Sequence, residues 1–511
     1  MKLVNKKITI MNRKTIRILM LLLVAMGLGI GEAKAEDNVK YVDADGQTKY
    51  IDNVTVLTGN ETVLGSATWG EERWYVTSGT TTFNSVITLY AGVHIILADG
   101  TTMTVPGFSG KIGDVVDIIK IYSQGGTDEG KLTINITDPT NTNAGNALWI
   151  SNGYITINGG IINITAVNDG ILGGDRITFN GGKTEIKSSG GYGIYSANVI
   201  VNGGQLTVTS KSENYAGIYV GATITLGWTN PTDDFIKCSS YNTNGSVKTA
   251  DGKSFAVYDG NDFLCVIGAA SGNTTFSNSI GSLSNKKLCP FEGKLVPVGS
   301  VKYYAYNLSS GSDSYKPLNP GVSVYLVTGI AYNQSTKQYE AVLSEAQPGV
   351  VPNVPVIFGA DKLPNSIALK KEDATVSLSA TPSKNFIACD GTKKVSELLP
   401  SGVNFADVYF FGLSGNSFKR VLLGSDDVHP AGTCFLFISK DDFNNPPSSA
   451  PAGVRGIGIE TDGTTSLIGN GQLTTDHAAS AQWYSLDGRR LDKAPKTKGV
   501  YIRNGKKLVI K

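Results

Sequence analysis

Three phrases of the chain, GYITINGG at 153–160, DRITFNGG at 175–182 and ANVIVNGG at 197–204, recur at a constant interval of 22 residues. A chain with such a beat has few folds open to it. Laid over one another, Ile155 and Ile157 fall on Ile177 and Phe179 and then on Val199 and Val201. After each NGG, Ile162 and Ile164 fall on Thr184 and Ile186 and then on Leu206 and Val208. The residues between them (Thr156, Thr178, Ile200; Asn163, Glu185, Thr207) are mostly polar, so each unit holds two short strands with an oily and a wet face. A third strand follows in ALWI (147–150), GILG (170–173), GIYS (193–196) and GIYV (217–220).

Three strands in about 22 residues cannot bury an apolar face alone, but units piled at ~4.8 Å make three parallel sheets around one core. The expectation is an all-β chain built on a right-handed parallel β-helix, a pectate-lyase-like solenoid. Asn158, Asn180 and Asn202 should stack as a structural amide ladder. Beyond the regular units, GKLTINI (130–136) fits a second strand with Leu132 and Ile134 inward, and TITLGW (223–228) a further first strand. GVHIILADGTTMTV and DIIKIYSQ alternate less regularly and are expected as the first coils.

The ITINGG…DGI units, the preceding ILADGTTMTV and GKLTI, and the closing ITLGWTNPTDDFIKCSSY resemble the calcium-associated carbohydrate-binding β-helix modules of secreted proteins from Bacteroidales and some clostridia. The resemblance covers about residues 85 to 295. It implies a glycan ligand and a calcium ion.

The other segments follow from composition and punctuation. At 511 residues the chain is long enough for two or three domains. Residues 1–35 carry basic residues, an apolar run from Ile18 to Ile30 and Ala33-Lys34-Ala35, the pattern of a signal peptide cleaved near Ala35. Export is expected. Residues 36–90 are expected to form an N-terminal β cap and 91–295 the β-helix. From 296 to 470 the beat is lost and longer strands appear, as in a β-sandwich region; SVYLVTGIAY…VVPNVPVIFGA is echoed by DVYFFGLSGNSFKRV…VHPAGTCFLFISK, a possible internal duplication. DFNNPPSSAPAG at 442–453 has the composition of a linker. The end, WYSLDGRRLDKAPKTKGVYIRNGKKLVIK within 476–511, has two strands about DGRR and a hairpin at Asn504-Gly505. It resembles the C-terminal sorting tail of type IX secretion substrates in Bacteroidetes, which implies outer-membrane export and anchoring machinery as partners and the outer surface of a Gram-negative cell as location.

A formal charge of +2 with 17% charged residues offers no basic stripe, which argues against nucleic acid. Five cysteines without close spacing support neither a disulfide framework nor a zinc site; buried free thiols are expected, with Cys238 to Cys289 or Cys265 to Cys289 as the alternative bridges. His94, His429 and His477 are far apart, and HExxH, GxSxG and P-loop motifs are absent from the sequence. His94 lies in an alternating strand, a place for a core or surface residue.

Two constellations remain. Asn168, Asp169 and Asp175 could converge on calcium at ~2.3 to 2.6 Å, and with Arg176 they are the one acid–base group in the regular coils that a polysaccharide lyase could use. In the third strands, inward Leu148, Ile171, Ile194 and Ile218 are each followed by an outward residue, Trp149, Leu172, Tyr195 and Tyr219, with Tyr192 and Tyr215 in the loops before. Flat aromatic faces in such a row suit the apolar faces of sugar rings; packing of the stripe against the next domain is the other reading. The function expected is non-catalytic binding of a polysaccharide at the cell surface, against a structural adhesin and, further off, a calcium-dependent lyase.

Overall fold

A computed structural model describes residues 34–446, apart from 69, 111–116, 137, 139, 141–143, 229–232, 244–245, 273–274 and 276–282, and then the strands Gly456–Thr465, Trp483–Ser485, Arg490–Leu491, Gly499–Arg503 and Lys506–Ile510. The expected signal peptide, but for Lys34 and Ala35, lies outside these residues. So do most of the linker, His477 and the Asn504-Gly505 turn. Two compact units meet at residues 295 and 296.

Unit one is a β-solenoid of about eight turns. Strands Arg73–Val76, Val93–Leu97, Asp117–Ser123, Tyr154–Ile157 and Arg176–Phe179 continue into residues 198–201 and 223–226, each pairing in parallel with the next, as a first stack. Thr80–Thr82, Thr102–Val105, Lys131–Asn135, Ile161–Ala166, Lys183–Ser188, Gln205–Ser210 and Phe235–Cys238 make a second. The third stack holds Val63–Leu64, Ile87–Leu89, Phe108–Gly110, Leu148–Ile150 and Ile171–Leu172, then residues 194–196 and 218–220. Strands Ile194–Val201 and Ile218–Leu226 run through a bulge from the third stack into the first.

The repeat is realised residue by residue. Ile155 pairs with Ile177 and Ile177 with Val199, all without solvent exposure. The NGG turns bend the path between first and second stacks, and the second glycine of each (Gly160, Gly182, Gly204) has φ of 88°, 75° and 83°. The asparagine ladder forms: Asn180 Nδ2 donates to Asn158 Oδ1 at 2.8 Å, and Asn202 Nδ2 to Asn180 Oδ1 at 3.0 Å.

Some inward positions break the apolar rule, Thr81, Thr184 and Thr249 among them. Thr184, paired with Ile162 below and Leu206 above, is 4% exposed, and its Oγ1 has no hydrogen-bond partner among the described residues. A buried unpaired hydroxyl costs on the order of 1 kcal/mol or more. Thr184→Val, which keeps the shape and removes the hydroxyl, is therefore expected to stabilise the unit by about 1 kcal/mol, read as a raised urea midpoint at unchanged slope.

Parallel stacking starts earlier than the expected boundary at 91. Residues 55–56 already pair in parallel with 75–76, so the solenoid extends into the 36–90 segment expected as a cap. These coils were hidden because they lack NGG turns and step by 20 residues, Val56 to Val76 and Val76 to Ile96, instead of 22. What closes the stack is smaller. Ala35–Glu36 pairs antiparallel with 54–55 on the edge strand, and the hairpin Val39–Val42/Thr48–Ile51 lies on the outer face of the first stack, burying Val39 with Val54, Val76, Ile96 and Tyr122. At the other end, Lys287–Pro290 and the hairpin Ser254–Asp259/Asp262–Gly268 extend the second stack in antiparallel fashion. Both ends thus replace an open parallel edge by a reversed strand.

None of the five cysteines forms a disulfide; Cys238, Cys389 and Cys434 are buried, Cys289 is half-buried and Cys265 exposed. Cys265 and Cys289 pair with Val257 and Ala256 from opposite sides of Ser254–Asp259, which keeps the two thiols on separate strands.

Unit two contains two three-stranded sheets around a core that includes Val324, Val356, Phe358, Ile367 and Leu369, and a seven-stranded sheet with cores about Phe411 and Phe418 on one side and Val395, Phe410 and Phe435 on the other. Ser323–Tyr325 pairs antiparallel with Val356–Gly359, and Val408–Ser414 with Cys434–Ser439. Val327–Asn333 forms a hairpin with Gln338–Leu343, as Val408–Ser414 does with Ser417–Val421. The C-terminal strands form an antiparallel sheet in the order 490–491, 483–485, 499–503, 506–510. No helix among the described residues is long and apolar enough to cross a membrane.

Candidate functional site

The outward residues of the third stack line up in a column. Ser109 pairs with Trp149, Trp149 with Leu172, Leu172 with Tyr195, Tyr195 with Tyr219 and Tyr219 with Asn242. Trp149, Leu172 and Tyr219 are half-buried, while Tyr195 is 38% exposed. Inward neighbours Leu148, Ile171, Ile194 and Ile218 are in the core, which fixes the opposite face as the wet one.

The tyrosines form one cluster. Tyr195 and Tyr219 have centroids 5.0 Å apart and planes within 7°. Tyr192, in the loop before, touches Tyr195 at 5.3 Å, Tyr219 at 5.1 Å and Tyr215 at 4.9 Å, the last edge-on. Tyr192 therefore sits at the centre, which its loop position in the sequence did not disclose. Tyr215 is 42% exposed. The paired rings are not a flat pavement. Stacked in this way the two rings face one another, while Tyr195 keeps 38% of its surface exposed.

Asp169 holds this cluster from below. Its Oδ1 accepts the backbone N–H of Tyr192 at 2.7 Å, one coil on, while its own N–H donates to Asn146 Oδ1 at 3.0 Å. Burial raises the Asp169 carboxyl pKa, against the lowering pull of the Tyr192 amide. Asn168 Nδ2 donates to the carbonyl of Ala144. Asp175 lies beyond the third strand, where its Oδ2 accepts Gly153 N–H at 2.8 Å. The two carboxylates expected to share a cation thus each serve a different neighbouring coil, and among the described residues no group of three or more His, Cys, Asp or Glu is placed to hold a metal. Arg176 lies 4.0 Å over the ring of Tyr154, the residue paired with it in the coil below. The acid–base group weighed for a lyase is in this way distributed over three separate structural contacts.

His94 belongs to another aromatic group. It is 3% exposed, stacks on Trp74 at 4.1 Å, and its Nδ1 is 3.0 Å from the Tyr122 hydroxyl; Tyr41 from the covering hairpin packs on both Trp74 and Tyr122. Burial lowers its pKa to about 4, overriding the Glu72 carboxylate 3.5 Å from Nε2. This is a buried structural histidine. His429 is likewise shifted down by burial, with its ring against Phe435.

No curated protein and no solved structure matches the chain. Residues 120–264 match a family model described as carbohydrate-binding domain-containing protein, a segment that holds Trp149, Asn168, Asp169, Asp175 and all four clustered tyrosines and supports a carbohydrate-binding role for this part of the solenoid.

Proposed function

We propose that the chain is an exported, non-catalytic glycan-binding protein that recognises sugar rings on the third-stack column, with Tyr195 and Tyr219 as the stacking pair and Trp149, Tyr192 and Tyr215 beside them. The observation that carries this reading is the four-tyrosine cluster, two of its rings exposed, inside the one segment that matches a carbohydrate-binding family. Partly uncovered phenol faces offer apolar contact to a pyranose ring, and four hydroxyls offer hydrogen bonds. Attachment at a Bacteroidetes-like cell surface rests on the leader and the sorting-like tail.

The test is retention of the full chain on immobilised polysaccharides. Tyr195→Ala with Tyr219→Ala is expected to weaken retention by about tenfold or more, from roughly 1 kcal/mol of lost stacking at each ring, with the cooperative unfolding transition of the solenoid retained. Unchanged retention removes the tyrosine site. Repeating the assay in chelator decides the place of calcium: retention undiminished there takes the ion out of the reading.

A further inference from the structure

The column has a direction and a charge, and both bear on the ligand. Its residues, from Ser109 through Trp149, Leu172, Tyr195 and Tyr219 to Asn242, are uncharged and advance along the solenoid axis one rung at a time. The flanking turns carry Asp169, Asp175 and Glu213 against Lys211, with Arg176 directly after Asp175 and held over Tyr154. Three carboxylates against two cations leave a slight acidic excess that disfavours a polyanion, and carboxylate oxygens accept hydrogen bonds from the hydroxyls of a neutral sugar.

From these features, and resting on the tyrosine site proposed above, we infer that the ligand is a neutral, extended, equatorially linked glycan that lies along the solenoid axis, with Trp149 as a distal subsite. Rungs of ~4.8 Å match the advance of about one pyranose ring in such a chain. Tyr219 and Tyr195 then take adjacent sugars, Leu172 supports the next by apolar contact, and Trp149, three rungs or about 14 Å from Tyr219, takes the fourth. A chain lying across the coils would leave the column after one ring. The half-buried indole of Trp149, two rungs below Tyr195 and in strict register with it, has a place in recognition only if the chain runs lengthwise.

The inference is tested by titrating the full chain calorimetrically with cello-, xylo- and manno-oligosaccharides of two to six units, and with oligogalacturonides of the same lengths. At least one neutral series should tighten until about four units and then level off. Trp149→Ala should remove the gain between two and four units, about tenfold, while leaving the disaccharide affinity unchanged; Trp149→Phe should restore most of it. Oligogalacturonides binding as tightly as the neutral chains would overturn the charge argument. Affinity independent of length, or a Trp149→Ala variant that follows the wild type at every length, would overturn the lengthwise orientation while Tyr195→Ala and Tyr219→Ala still report on the site itself. Absence of binding by every series would instead remove the glycan site.

Discussion

Replacing Gly182 by alanine is expected to destabilise the solenoid by about 2 to 4 kcal/mol, from a left-handed backbone cost of ~1–2 kcal/mol and an overpacking cost of similar size. At φ 75° a Cβ would sit 2.5 Å from the carbonyl oxygen of Gly160 and within 2.9 Å of the Gly159 backbone, in the coil below. Backbone cannot swing aside as a side-chain tip can. Gly252 supplies the control, since its φ is 71° but a Cβ there meets nothing within 4 Å. Gly252→Ala should lose only the conformational part, ~1–2 kcal/mol. Denaturant melts of the two variants separate the terms. Equal losses would show that the close approach of the coils adds nothing beyond the turn.

Acidification is expected to remove on the order of 3 kcal/mol through His94 alone. Its pKa is 6.5 in the unfolded chain and about 4 in the fold, because burial against Trp74 and Tyr122 disfavours the charged ring; the Lys120 ammonium adds to that shift, while the Glu72 and Asp117 carboxylates oppose it. A depressed folded pKa means that the unfolded state binds the proton first. The contribution is therefore fully present above about pH 6.5 and is lost as pH falls from there through 4. Against His94→Gln, which retains a hydrogen-bonding group but does not titrate, the wild type should lose its relative stability across that window and run parallel above pH 7. Parallel profiles throughout would place the proton elsewhere.

How far these features could be foreseen differs from place to place. The 22-residue beat sufficed for the inward columns, the amide ladder and the row from Trp149 to Tyr219, because an in-register solenoid converts sequence spacing directly into neighbourhood. Where the spacing changes, the signal fades. In the coils between Val54 and Leu89 the first stack steps by 20 residues and the third by 25, without paired glycines, so no constant beat marks them as solenoid. In the sequence Tyr192 is only a loop residue near the row, yet ring contacts make it the hub of the cluster. Its loop position gave no direction for the side chain. Asp169 carried a charge that suggested a cation, while its 23-residue offset from Tyr192, one coil, pointed to the amide it actually accepts. The group of Tyr41, Trp74, His94 and Tyr122 has no local pattern, since a hairpin distant in sequence completes it.

Since a residue of the solenoid meets its partner about one coil later, 22 positions on in the regular part, its strand contacts are short in sequence for a β architecture. Relative contact order is then low for an all-β unit, which favours rapid, vectorial assembly from any formed pair of coils. It also means that cooperativity is handed from neighbour to neighbour. Weakening the reversed strand Ala35–Glu36 should let the rod fray inward from the end far from the tyrosines, whereas weakening Lys287–Pro290, which pairs with Phe235–Cys238 in the same coil as Tyr219, should open the tyrosine coils among the first.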